Sequence, residues 1–215
     1  RATELEKTLV GQEATLATLS AHLTTHRKAA AAELSRAVQA SLIFLDLPKV
    51  RFEVAVTPLG SYGGDGADDV EFLIASNPGE APAPMIRIAS GGELSRIMLA
   101  LKNALADSDD IGTVIYDEID TGVSGAAAQK IGKKLQEVSR NRQVICVTHL
   151  APVAACGDSH LFIHKDVEEG RTFTKVDLLS DEQRVREIAR IVSGEDITET
   201  ALENAREMLE IAHKS

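Results

Sequence analysis

The chain has 215 residues, of which 44% are hydrophobic but only 3% aromatic, so its core must be mainly aliphatic. Its formal net charge of −10 disfavours general electrostatic attraction to nucleic acid or to an anionic membrane. Two cysteines, Cys146 and Cys156, are too few for a secreted disulfide framework, and no apolar run approaches the roughly 20 residues of a membrane span. We therefore expect a cytoplasmic protein with no membrane partner and no leader peptide.

Residues 1–47 are predicted to form one long coiled-coil helix. Positions from Leu5 onward alternate four and three residues apart, and six of the eight are apolar: Leu5, Leu9, Leu16, Leu19, Leu23 and Ala30. Gln12 and His26 fill the other two positions of this heptad seam, as polar residues do where register must be fixed. No second segment carries a matching run, so the seam indicates a partner helix outside the chain. The alternative is an amphipathic helix lying on its own globular domain.

Residues 48–215 are predicted to form an α/β lobe. Pro48 ends the helix, and alternating apolar residues at 50–56 and 70–74 predict an antiparallel strand pair joined by a glycine-rich loop. Beyond it, helices alternate with buried strands, which indicates parallel pairing in an α/β sheet. The predicted order is helix 92–106, strand 113–117, helix 125–139 and strand 143–148, followed by strands near 160–164 and 171–178 and helices near 181–193 and 198–213.

The strand over 113–117 ends in two carboxylates, Asp117 and Glu118. Open α/β sheets place their ligands at the carboxyl ends of strands. There Asp117 suits Mg²⁺, held through its water shell, and Glu118 suits the orientation or deprotonation of an attacking water. The alternative is that both side chains only cap the following turn.

The strand over 143–148 is followed by His149. If the two strands are parallel neighbours, this imidazole lies near the same ligand and could donate to a γ-phosphate. A satisfied loop histidine is the alternative reading.

The stretch IASGGELSRIMLAL, residues 88–101, opens an apolar helix face. Ser90 and Glu93 match a capping box, which explains those two residues. Gly91 and Gly92 need another reason, because glycine in a helix costs up to about 1 kcal/mol relative to alanine. Without side chains they would let a phosphate approach the N–H groups at the positive helix end.

Four motifs, in order, resemble those of ABC-type ATPases: SGGELSR the signature motif, VIYDEID the Walker B motif, TGVSG the D-loop and VTHL the switch-histidine loop. With the preceding coiled coil, they resemble structural maintenance of chromosomes (SMC) proteins. The longer stretches VEFLIASNPGE, IASGGELSRIMLALK, DEIDTGVSG and CVTHLAPVAACGD are similar to the RecN family of bacterial SMC-like repair proteins. The resemblance covers essentially the whole chain.

The resemblance implies that the signature motif, Ser90, Gly91, Gly92 and Glu93, contacts ATP bound to a second head, in trans. It implies Asp117 at Mg²⁺, Glu118 at the hydrolytic water, His149 at the γ-phosphate, and a D-loop across a head-to-head homodimer interface. The D-loop residues are Thr121, Gly122, Val123 and Ser124. Many ABC and SMC D-loops carry aspartate where this chain has Ser124, so that position agrees better with the RecN family than with ABC proteins in general.

A G-x-x-x-x-G-K-[ST] phosphate-binding loop does not occur in the sequence. In RecN-like proteins that loop lies in an N-terminal half, which would also supply the return coiled-coil helix. We therefore expect a C-terminal portion of a DNA-binding, nucleoid-associated ATPase of double-strand break repair, inactive on its own. The alternatives are another SMC or ABC-type ATPase, such as a transporter subunit, or a non-catalytic interaction module.

Two further groupings are set aside. Cys146, His149, Cys156 and His160 have a zinc-like spacing, but Cys146 and His149 would point to opposite faces of one strand. Two basic clusters are interpreted as solvated helix faces rather than as DNA contacts: Lys133, Lys134, Arg140 and Arg142, and Arg184, Arg186 and Arg190.

Overall fold

The computed structural model describes residues 1–87, 91–105, 111–123, 125–168 and 171–214. It divides into two compact units, Arg1–Ala89 and Ser90–Ser215. The sequence predicts a different division of the intact protein, into an arm at 1–47 and a lobe at 48–215, and this division stays a prediction. Among the described residues, no helix combines the length and apolar character needed to cross a membrane.

The first unit consists of a long helix and a small antiparallel sheet. Its elements are α1 (Ala2–Phe44), β1 (Arg51–Gly63), β2 (Gly66–Ala75), β3 (Ala83–Pro84) and a 3-10 turn at Met85–Arg87. The antiparallel pairing predicted from alternation is confirmed, since Phe52 lies opposite Ile74 and Val54 opposite Phe72. The predicted glycine-rich loop is wrong, because both strands extend into it and the register shifts between Pro58 and Gly63.

The C-terminal part of α1 packs on β1 through apolar and polar side chains. Val38 and Leu42 are fully buried there. The Gln39 amide donates to the Val50 carbonyl at 2.8 Å and accepts from the Phe52 N–H at 3.2 Å. Because these bonds satisfy the backbone edge of β1, the helix covers an edge that would otherwise be open to pairing.

The N-terminal part of α1 leaves its heptad seam exposed. Leu5 is 66% exposed and Leu19 is 62% exposed. Farther along, Asp68 on β2, whose side chain is 3% exposed, accepts from Thr24 Oγ1 at 2.8 Å and from Arg27 Nη1 at 3.1 Å. These bonds hold the helix to the sheet at Thr24 and Arg27, and the seam residues far from them, such as Leu5 and Leu9, are exposed.

The second unit alternates helices and short strands, as the sequence predicts. Its elements are α2 (Gly91–Ala104), β4 (Thr113–Tyr116), α3 (Gly125–Ser139), β5 (Gln143–Cys146), α4 (Ala151–Ala154), β6 (Leu161–Glu168), β7 (Arg171–Leu178), α5 (Asp181–Ser193) and α6 (Glu199–His213). β4 and β5 pair in parallel, whereas β6 and β7 form an antiparallel hairpin. The short helix α4 was not predicted.

The helices of this unit pack closely through small residues. Ala189 and Ala205, from α5 and α6, are fully buried in one cluster with Ile188. A methyl group built on Gly132 of α3 would lie 2.5 Å from Cys156 Sγ, so only glycine allows α3 to approach that sulfur. Ser180 and Gln183 form a complete capping box at the start of α5.

Candidate functional site

The parallel strands β4 and β5 end side by side. Tyr116 lies opposite Cys146, and the Val147 N–H donates to the Tyr116 carbonyl at 2.9 Å, which extends the pairing one step beyond the strands. The chain segments that begin at Asp117 and at Thr148 therefore leave the sheet at the same edge. This is the edge at which the sequence predicts a ligand.

Asp117 and Glu118 are both exposed at this edge. Glu118 has a φ of 56°, in the left-handed region that non-glycine residues seldom adopt. The Thr121 N–H donates to the Glu118 carbonyl at 3.2 Å, which closes a turn around this residue. Uncommon backbone conformations of this kind cost about 1–3 kcal/mol and cluster at functional sites.

The first turn of α2 lies directly against this turn. Arg96 Nη1 donates to the Thr121 carbonyl at 3.2 Å, and Ser95 Oγ donates to the Asp117 carbonyl at 3.3 Å. Burial lowers the pKa of the Arg96 guanidinium, while the charge of Glu93 opposes that shift. The signature segment and the residues after β4 thus form one packed group.

The two glycines of the signature segment have different surroundings. A methyl group on Gly92, which is buried, would lie 2.5 Å from the Thr121 carbonyl oxygen. Gly91 is exposed, and a methyl group there would lie 3.6 Å from Glu118 Oε2, an ordinary contact. Close packing therefore explains Gly92, whereas the sequence interpretation gave ligand approach as the reason for both. Ser90 and Ser124 lie outside the described residues.

His149 stands exposed at the edge but is tied to a buried carboxylate. Its side chain is 71% exposed, and its Nδ1 lies 3.2 Å from Oδ2 of Asp120, whose side chain is 2% exposed. The same oxygen accepts from the His149 N–H at 3.0 Å and from Thr148 Oγ1 at 2.5 Å. The structure thus brings His149 to the edge that carries Asp117 and Glu118.

Sequence reasoning missed Asp120 and Thr148. A usable signal was present, since Asp120 comes four residues after Tyr116 and Thr148 two residues after Cys146, at the ends of strands predicted to be parallel neighbours. The D-loop residues that were predicted lie just beyond, with Thr121 and Gly122 exposed and Val123 half-buried.

The edge is electronegative. The pKa of the Cys146 thiol is raised to about 12, chiefly by burial and further by the negative charges of Asp120 and Asp117. Among the described residues, no three histidine, cysteine or acidic side chains are grouped closely enough to hold a metal ion. A cation at this edge would therefore need ligands beyond the protein groups described, such as phosphate oxygens and water.

The predicted solvated faces of the basic clusters are only partly correct. Lys134 and Arg142 are buried, and Lys134 Nζ donates to Glu137 Oε2 at 2.5 Å. In the second cluster, Arg184 donates to the Gly157 carbonyl, and Arg190 pairs with Glu187 at 2.6 Å. These internal contacts leave fewer charges available to solvent than the sequence suggests.

Comparison with known proteins identifies the relatives of this chain. No protein-family model matches it. Curated proteins named DNA repair protein RecN do, from Halalkalibacterium halodurans (44% identity over 99% of this chain), Streptomyces coelicolor (41% over 93%) and Haemophilus influenzae (42% over 89%). Over almost its entire length, the chain is homologous to part of these RecN proteins. It spans 34–38% of the length of those RecN proteins.

Solved structures of SMC proteins share the fold of this chain. The Smc head domain with a coiled coil and joint from Pyrococcus yayanosii aligns over 84% of this chain and 29% of its own, with a TM-score of 0.51 and 20% identity. A chain from work on ATP-driven dimerization and DNA-stimulated activation of SMC ATPases aligns over 79% of this chain and 98% of its own, with a TM-score of 0.50 and 20% identity. The predicted fold class, part of an SMC-type head with a long helix, is confirmed.

Proposed function

We propose that this chain is the C-terminal part of the ATP-hydrolysing head of a RecN-type protein that acts in DNA double-strand break repair at the bacterial nucleoid. One observation carries the proposal: Asp117, Glu118 and His149 follow neighbouring parallel strands at one edge of the β4–β5 sheet, beside the N-terminal turns of α2. The RecN relatives support the repair role, and the likeness to SMC heads supports the head assignment.

The donor set at this edge fits ATP with Mg²⁺. Asp117 offers an exposed carboxylate, and Mg²⁺ is commonly held by one or two carboxylates together with phosphate oxygens and water. When bound, ATP would supply the transferable γ-phosphoryl group, and Mg²⁺ would neutralise charge on its oxygens. An electronegative edge suits such a ligand only when cations accompany it, so Mg²⁺ and the lysine of a phosphate-binding loop are both needed.

Each residue at the edge then has a role. Glu118 orients or deprotonates the attacking water, and His149 donates to the γ-phosphate. The backbone N–H groups of the first turn of α2, beginning at Gly91, face a phosphate of a nucleotide held by a second head. Glu93 and the D-loop, Thr121–Ser124, lie at that interface between heads.

The partner within the same protein is its N-terminal half, which would carry the phosphate-binding loop and the return helix of the arm. Exposed apolar surfaces of this chain support that partner. Besides the heptad seam, Ile115 on β4 is 67% exposed, and Ile163 and Leu178 on the β6–β7 hairpin are 58% and 69% exposed. Isolated two-stranded sheets are marginally stable, so the β4–β5 pair and the β6–β7 hairpin both need further strands or an element packed over them. DNA is the partner of the whole assembly.

The proposal is tested by reconstitution. We expect this chain alone to show almost no ATP turnover, and we expect turnover to appear when the separately produced N-terminal half is added. In that mixture Glu118→Gln should lower kcat by about 10²-fold or more, the range for a lost general base, while ATP binding and ATP-dependent dimers are retained. Substantial turnover by the chain alone, or unchanged turnover with Glu118→Gln, would contradict the proposal.

The role of the signature segment in trans needs a separate test. In the complete protein, Ser90→Arg should abolish ATP-driven dimerisation, measured by light scattering, while ATP binding by single heads is retained. Because Ser90 also fits a capping box, Ser90→Asp, which keeps a capping oxygen, serves as the matched comparison. If Ser90→Arg only lowered thermal stability and left dimerisation intact, capping would be its sole role.

A further inference from the structure

Asp120 is a buried carboxylate that binds the segment following β5. Its Oδ2 accepts from Thr148 Oγ1 at 2.5 Å and from the His149 N–H at 3.0 Å, and it lies 3.2 Å from His149 Nδ1. Thr148 Oγ1 in turn accepts from the Leu150 N–H at 3.1 Å. One oxygen atom therefore binds the backbone N–H of His149 and lies within ion-pair distance of its ring.

This contact determines which ring nitrogen is available. An ionised carboxylate only accepts hydrogen bonds, so its position 3.2 Å from Nδ1 favours the tautomer with a hydrogen on that nitrogen. Nε2 is left for a ligand, as an acceptor in the neutral ring and as a donor in the protonated ring. Since phosphate oxygens only accept, a hydrogen bond from Nε2 to a phosphate needs a ring that carries hydrogens on both nitrogens.

The burial of Asp120 indicates that it does more than hold the segment after β5 in place. Taking a carboxylate out of water is costly unless hydrogen bonds compensate, and a neutral side chain could join the two segments at lower cost. Backbone pairing already joins them at Val147 and Tyr116. The Asp120 side chain is charged although only 2% exposed, and it lies beside the His149 imidazole, which is 71% exposed. Such a pair is the arrangement that orients a histidine which acts on a ligand.

We propose that Asp120 is the positioning residue for His149, holding the Nδ1–H form of the imidazole so that Nε2 faces the triphosphate. The inference rests on the proposed function, which places that ligand at His149. Asp120 acts through the imidazole and does not itself contact ATP.

The test is a double-mutant cycle on ATP turnover in the complete protein. Asp120→Asn should lower kcat at least about tenfold with little change in KM, the effect seen when partners that orient functional histidines are removed. In a His149→Ala background the same substitution should change kcat less than about twofold. An equally large loss of kcat from Asp120→Asn in both backgrounds would overturn the inference.

The ring itself gives a readout that does not depend on turnover. The ring ¹⁵N signals of His149 in the complete protein can be assigned as those that disappear in the His149→Gln variant. In the neutral state these signals should be those of the Nδ1–H tautomer. In Asp120→Asn the ring should shift toward the Nε2–H form that free histidine prefers. An Nε2–H ring in the unsubstituted protein would overturn the inference even if Asp120→Asn fails to fold.

Asp177→Asn is the matched control, because it removes another Asp–His pair of this chain. Asp177 Oδ2 lies 2.7 Å from His164 Nε2 on the β6–β7 hairpin, and its side chain is 64% exposed. This variant should leave both kcat and the His149 spectrum unchanged. If His149→Ala left kcat unchanged while the Nδ1–H tautomer and its dependence on Asp120 were found, the proposed role of His149 would fail and the positioning contact would stand.

Discussion

Gly92→Ala, compared with Gly91→Ala, tests whether the paired glycines of the signature segment have different roles. A methyl group on Gly92 would lie 2.5 Å from the Thr121 carbonyl oxygen and 3.1 Å from Thr121 Cβ. The first distance is about 0.9 Å short of the 3.4 Å at which ordinary contact begins. The clash is with backbone, so either α2 or the turn at Thr121 must move.

The expected cost follows from this overlap. Overpacking a well-packed site costs about 1–3 kcal/mol, and the higher helix propensity of alanine returns less than about 1 kcal/mol near a helix start. We therefore expect Gly92→Ala to lower the free energy of unfolding by about 1–2 kcal/mol. For Gly91→Ala, whose methyl group would lie 3.6 Å from Glu118 Oε2 and no closer to any other described residue, we expect no loss or a small gain.

The assay is urea unfolding of the 215-residue chain followed by circular dichroism, with the slope m compared between variants. ATP turnover of the complete protein is measured in parallel. Gly91→Ala should reduce turnover without reducing stability, because its methyl group projects where a phosphate would approach the amides. Equal stability of the two variants would refute the packing explanation of Gly92, and full turnover in Gly91→Ala would refute ligand approach at Gly91.

Three further predictions concern other parts of the chain. Asp68→Ala should lower the free energy of unfolding by about 1–2 kcal/mol in urea titrations. This is the lower part of the range for a lost charged hydrogen bond, because Thr24 and Arg27 keep other acceptors. No loss would mean that the contacts of Asp68 with Thr24 and Arg27 do not hold α1 to the sheet. The pKa of His160 is lowered below 6.5, first by burial and then by Arg184, so the unfolded chain binds this proton more readily, and stability should fall as pH drops below 6.5. His160→Gln should lessen that fall in thermal unfolding measured across pH, and an unchanged pH profile would contradict the assignment. The Cys146 thiol, whose pKa burial raises to about 12, should react with iodoacetamide at pH 8 more slowly in the native chain than in urea, as followed by mass spectrometry; equal rates would contradict this.

Periodicity and strand order are sufficient to predict the elements that form the edge. Alternation at 50–56 and 70–74 predicts an antiparallel strand pair, because one face of each strand is apolar. The alternation of helices with β4 and β5 predicts parallel pairing. Since parallel strands end at one edge, the sequence alone is enough to place Asp117, Glu118 and His149 together.

What was missed depends on tertiary contact. The reason for Gly92 is the approach of Thr121, and the significance of Asp120 is its contact with the segment after β5, neither of which leaves a local periodic signal. The four-residue helix α4 is too short for periodicity to reveal. The glycines at 60–66 suggested a loop, but antiparallel pairing to β2 continued the strands through most of it.

Because α1 packs on its sheet through its C-terminal part, a change in the angle of the helix displaces its N-terminal end most. With 43 residues at about 1.5 Å each, it is roughly 65 Å long, and its first buried residue is Ser20. The stretch before Ser20 is about 27 Å long. A tilt of about 5° at the sheet would therefore displace the N-terminal tip by ~2 Å, so small rearrangements at the sheet become larger displacements along the helix.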